Sequence, residues 1–129
     1  MRKASIPVFH ERRGQRSESK REALMLQLRT CARRAGVESM VLADHEGRII
    51  ARSDRLSIAE NLASFSPFFA QTRAWFGQMQ VDGLSRPVAI SPFRLGVSTA
   101  YLCAVGAKRH TVGAVFVQAT AGIRRIMTP

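Results

Sequence analysis

From Ser19 onward the apolar positions fall into a helical rhythm. Leu24, Leu28, Cys31 and Ala35 recur at helical spacing, with Met25 and Ala32 on the flank, so one face of a helix is apolar. Ser19 and Glu22 stand at capping-box spacing, where each side chain can satisfy an orphan backbone N–H of the first turn. Arg29, Arg33 and Arg34 take the outer face and the last turn, where cations suit the helix dipole. Gly36 is a natural stop. The pattern predicts a first helix over residues 19–35. Ahead of it, MRKASIPVFHERRGQRS shows neither helical nor strand periodicity and mixes Pro, Gly and Ser with charge. We read residues 1–18 as a flexible basic tail, followed by a single domain over 19–129.

Two short apolar runs come next, VESMVLAD and RIIARSD, either side of a polar tip with Gly47. That is the signal of a β-hairpin. Ser57 and Glu60 repeat the capping-box spacing and open a second helix, expected from Ile58 to about Gln78. Ile58, Leu62, Phe65, Phe69 and Phe76 make its apolar face, widened by Ala59, Ala63 and Trp75. Pro67 removes a backbone donor inside this segment, so a kink or break is expected near Phe65. After Gly77 the chain reads as extended: MQVDG as a short strand, RPVAISPFRLG as a longer one with proline at an edge or bulge, and VSTAYLCAVGA as the strongest strand. In the last segment AVFVQ has strand character. However, Val112, Phe116, Ala119, Ile123 and Ile126 keep helical spacing over four turns, and a closing helix is the favoured reading. The order is helix, hairpin, helix, strands, helix. Strands segregated from helices point to an antiparallel sheet in an α+β domain.

Composition changes this picture little. With 129 residues, 46% hydrophobic and 22% charged, the chain suits one domain with a real core. No apolar run approaches the roughly 18 residues that span a bilayer, and no apolar stretch follows the N-terminal charges as a signal peptide requires. Cys31 and Cys103 fit no metal-ligand spacing and sit in apolar patterns, as reduced buried thiols do. A cytoplasmic protein is expected. Charge matters more. The net charge is +11, and residues 1–35 hold ten Lys/Arg against three Asp/Glu, while the rest hold ten against six. Clustered positive charge attracts phosphates and acidic protein faces. Seventeen of the twenty basic residues are Arg, which a general compositional bias would also produce.

Candidate chemistry is sparse. No GxSxG elbow, GxGxxG or phosphate-binding Gly-Lys pair is present. His-Glu occurs at His10 and His45, neither followed by a second histidine at zinc-binding spacing. The third histidine is His110. That leaves Asp44-His45-Glu46-Gly47. A metal or acid–base site there needs a partner from a distant segment. A tight turn needs only Asp44 to bond backbone N–H groups and Gly47 to supply a positive φ. The turn is the favoured reading, with no catalytic residue, metal or cofactor assigned.

Phe65, Phe68, Phe69, Trp75 and Phe76 crowd the second helix, and one helical face cannot hold all five. Phe68 lies about 100° around from Phe69, so aromatic area should project from the core and mark a protein–protein interface. Self-association is preferred to a small-molecule pocket.

AGVESMVLADHEGRIIARSD with its Asp-x-x-Gly turn, IAENLASFSPFFAQ, RPVAISPFRLG, VSTAYLCAVGA and TVGAVFVQATAGIRRIM together resemble the Roadblock / dynein light chain family, which has prokaryotic and eukaryotic members. The resemblance covers about residues 19–127, with Pro67 and the short strand near Met79 as departures. It implies a profilin-like sandwich in the order α-β-β-α-β-β-β-α, with a five-stranded antiparallel sheet, dimerising through the second helix and an edge strand. It also implies a non-enzymatic scaffold or regulator, often of small Ras-like GTPases or of motility machinery.

Three functions follow for testing. The first is a homodimeric adaptor or GTPase regulator, its interface on Phe65, Phe68, Phe69, Thr72, Trp75 and Phe76. The second is nucleic-acid binding through Arg12, Arg13, Arg16, Lys20 and Arg21. The third is a small-molecule sensor domain.

Overall fold

A computed structural model of the protein describes residues 8–54 and 58–128, with side chains from residue 18 onward. Its elements are α1 (Val8–Ala35), β1 (Ser39–Ala43), β2 (Ile49–Arg52), α2 (Ala59–Phe69), β3 (Trp75–Val81), β4 (Leu84–Leu95), β5 (Ser98–Val105) and α3 (Arg109–Met127). All strand pairs are antiparallel, in the order β2-β1-β5-β4-β3. The α+β class, the five strands and the closing helix are those expected from the sequence.

The first helix starts at Val8, not Ser19, so Ser19 and Glu22 lie inside it and form no capping box at its start. Arg, Glu and Gln make up six of residues 8–18 and are good helix formers without any apolar stripe. Residues 8–18, read above as tail, are therefore helical backbone, and residues 1–7 lie outside the described set. At the other end, Gly36 N–H donates to Arg33 O (3.3 Å) and Val37 N–H to Ala32 O (2.8 Å), the pair of bonds that closes a Schellman motif.

The second helix is shorter than the apolar pattern suggests. It ends at Phe69, with Ala70 N–H bonded to Ser66 O at 3.0 Å. Pro67 sits within its last turn, so the break falls after Phe69 rather than near Phe65. Ile58 begins the helix without a side-chain cap, and Ser57 of the expected capping box lies outside the described residues. Trp75, Phe76, Gly77 and Gln78 belong to β3, not to the helix. The reason is the turn beyond them. Asp82 and Gly83 both take positive φ, at 52° and 81°, as a two-residue type I′ hairpin requires. That turn pairs β3 with β4 from Val81↔Leu84 back to Trp75↔Ile90, and the ladder outcompetes a further helical turn.

The sheet has two covered faces. Alternation along β5 sends Leu102 and Ala104 to one side and Tyr101, Cys103 and Val105 to the other. On the first face α1 and α3 pack together, burying Leu24, Leu28, Met40, Leu42, Phe116 and Ile123. On the second, α2 lies mainly across β1, β2 and β5 with Leu62 and Ala63 inward. Cys31 and Cys103 are buried and free on opposite faces. Burial pushes the Cys103 thiol up to about 12, against the lowering effect of its 3.0 Å contact with Ser66 Oγ.

Candidate functional site

The turn with three ionisable residues is a structural device. Asp44 Oδ1 accepts from the N–H groups of Glu46 and Arg48, both at 2.9 Å, and Arg48 Nε lies 3.3 Å from Oδ2. Partial burial works against the Asp44 charge, but these donors outweigh it and hold the carboxyl below its usual range. Gly47 takes φ +82°. His45 and Glu46 are exposed. Ser39, Ser53 and Asp54 are likewise spent locally: Ser39 Oγ donates to Asp54 at 2.6 Å, and Ser53 Oγ accepts from Met40 N–H at 2.9 Å. Among the described residues no three His, Cys, Asp or Glu side chains are grouped to hold a metal ion, and no helix is long and apolar enough to cross a membrane.

Because the folded pKa of Asp44 is depressed, its stabilisation is present above about pH 4 and is lost as pH falls through the lower folded value. Asp44→Ala should cost about 1–2 kcal/mol at pH 7 from the lost turn bonds. The gap from wild type in urea denaturation should shrink towards pH 2. A gap independent of pH would mean that the carboxylate charge contributes nothing.

The aromatic residues form the more distinctive surface. Phe65 and Phe69 meet edge to face, with centroids 5.9 Å apart, and Phe69 stacks on Trp75 at 4.8 Å and 17°. This row runs from α2 to the start of β3. Phe68 beside it is 73% exposed, and Phe65 and Phe69 are nearly half exposed. Thr72 is exposed in the connection. Phe76 is separated from the other five. Adjacent residues of a strand point to opposite faces, so with β3 starting at Trp75 the Phe76 ring lies on the α1/α3 side, where the Arg109 guanidinium sits 4.8 Å from its centroid. Of the six residues expected at an interface, Phe76 therefore lies on the sheet face opposite Trp75.

β3 runs along one edge of the sheet, seven residues (WFGQMQV) without a charge or proline. Natural edge strands are usually blunted by such residues. This one is not, and it borders the exposed phenylalanines.

The five-stranded order β2-β1-β5-β4-β3, with two helices on one face and one on the other, is matched by solved structures. The gliding protein MglB from Thermus thermophilus superposes with TM-score 0.59 at 18% identity, over 84% of this chain and 90% of that one. Myxococcus xanthus MglB gives 0.62 at 12% identity, over 81% and 87%. The Roadblock/LC7 domain from Streptomyces avermitilis gives 0.53 at 18% identity, over 79% and 96%. The chain has the Roadblock/LC7 fold. No family model and no curated protein matches the sequence, so the likeness rests on backbone arrangement. Here the aromatic row lies where the end of α2 meets the start of β3.

Of the basic residues considered for anion binding, Lys20 and Arg21 are exposed on α1. Arg12, Arg13 and Arg16 lie on helical backbone whose side chains are outside the described set. Pattern reading passed over the Asp82-Gly83 turn, although Asp-Gly between apolar runs is a strong hairpin signal. Reading it would have extended β3 and shortened α2.

Proposed function

We propose that the protein is a non-enzymatic homodimeric adaptor or regulator, joined to a second copy along β3 and α2. The observation that carries this is the uncharged β3 edge beside three exposed phenylalanines. Adding a partner strand at that edge would satisfy its backbone groups, while the phenylalanines of two α2 helices would bury each other. The fold's likeness to MglB, one structure of which has a tetrameric arrangement, supports self-association. The family resemblance suggests a small Ras-like GTPase or a motility or signalling complex as the partner.

Light scattering at micromolar concentration should report twice the 14.3 kDa chain mass; a monomer overturns the reading. The GTPase part is checked separately. Small Ras-like GTPases encoded in the same genome, loaded with GDP or a GTP analogue, should include one that binds the dimer in one nucleotide state. Failure of all of them in both states removes the GTPase and leaves the adaptor.

A further inference from the structure

The face of the sheet opposite α2 has its own opening. α1 and α3 cover β1, β2, β5 and β4 there, and between α3 and the outer strands runs a groove of about 510 Å³. Phe76, Phe93 and Phe116 lie along it, and Val117 at its lip is 69% exposed. Each outer ring carries a guanidinium: Arg109 is 4.8 Å from the Phe76 centroid and Arg124 is 5.5 Å from that of Phe93. Neither arginine has a carboxylate partner among the described residues. The sequence explains why. From Gly83 to Pro129 there are six Lys/Arg and no Asp or Glu, so the segment that builds most of the groove cannot neutralise its own rim.

We propose that this groove docks an acidic amphipathic segment of a partner protein. Its apolar side chains would lie on Phe76, Phe116 and Val117, with carboxylates on Arg109 and Arg124. Fifteen residues of α3 separate the two arginines, about 22 Å along the axis, a span suited to a helix of about four turns. A guanidinium can pair bidentately with a carboxylate while staying over a ring. Nucleic acid fits less well, because base stacking needs open ring faces and here two rings already carry a cation. The groove opens on the sheet face opposite α2, but Phe76 of the β3 edge lines it, so peptide binding is measured together with the mass of the chain.

The test uses the full chain and two labelled peptides of about fourteen residues, free of tryptophan, with Leu at positions i, i+3, i+4, i+7 and i+11. One carries Glu at the polar positions and the other Lys. Fluorescence anisotropy should show the Glu peptide binding at least about tenfold more tightly than the Lys peptide. Arg109→Glu with Arg124→Glu should reverse that preference. Val117→Asp, at an exposed position, should weaken the Glu peptide about tenfold. Light scattering of each variant should give the same mass as wild type, so a chain that is monomeric yet still binds the Glu peptide rejects the dimer alone. The docking proposal is overturned by equal affinity for the two peptides, by no saturable binding below about 1 mM, or by Glu-peptide affinity unchanged in both variants. It is also overturned if Lys20→Glu with Arg21→Glu abolishes binding while the groove variants do not. A fifteen-nucleotide oligo-dT that binds Val117→Asp as tightly as wild type and displaces the peptide would identify a phosphate surface, and overturns it too.

Discussion

Phe68→Asp should turn the proposed dimer into a monomer at micromolar concentration while leaving the fold intact. Phe68 is 73% exposed, so the single chain loses almost no burial when it is replaced, and thermal unfolding of the monomer should move by less than about 0.5 kcal/mol. In a two-fold interface the same residue is present twice. Truncating a buried aromatic anchor costs about 2 kcal/mol or more, and a carboxylate driven into an apolar contact adds desolvation. Two copies should therefore weaken association by about 4 kcal/mol, roughly a thousandfold in Kd. Sedimentation velocity over a concentration series measures this directly. A Phe68→Asp protein that dimerises as well as wild type would place the contact elsewhere and remove α2 from the interface.

The second large effect is expected far from any partner. Gly47 closes the β1–β2 turn at φ +82°, and a Cβ built there would stand 3.1 Å from Ala63 O and from Ser64 Cα. Both are backbone atoms of α2, so neither can rotate aside. Gly47→Val combines a β-branched residue in left-handed backbone with crowding against the helix that bears the aromatic row. We expect a loss of about 3 kcal/mol, seen as a drop of roughly 10 °C in Tm. Gly36→Ala is the control. Gly36 has φ +68° but nothing within 4 Å of its added Cβ, so strain alone should cost about 1 kcal/mol. Equal losses for the two variants would show that the hairpin turn is not seated on α2.

These contacts explain what could and could not be read from the residues alone. The Asp44–Gly47 turn was legible because all its donors and acceptors lie within five residues. The end of α2 was not, because Phe65, Phe69 and Phe76 continue a helical spacing that local sequence cannot distinguish from core. The contest between another helical turn and a strand is decided at Asp82-Gly83 and by the β4 partner. The split between Trp75 and Phe76 follows from that choice. Helical spacing would have placed them about 100° apart, whereas strand geometry places a whole sheet between them.

The amino-acid sequence by itself determined the element order, the α+β class, the closing helix and the polar hairpin turn. Each of these rests on periodicity or turn chemistry that a few neighbouring residues carry. Tertiary structure alone decided where α1 begins, where α2 stops and which aromatic residues share a face. It also revealed that two guanidiniums sit over the rings of an apolar groove. Those outcomes depend on pairing and packing between segments tens of residues apart, whose free energies exceed the local preferences that a single stretch of sequence expresses.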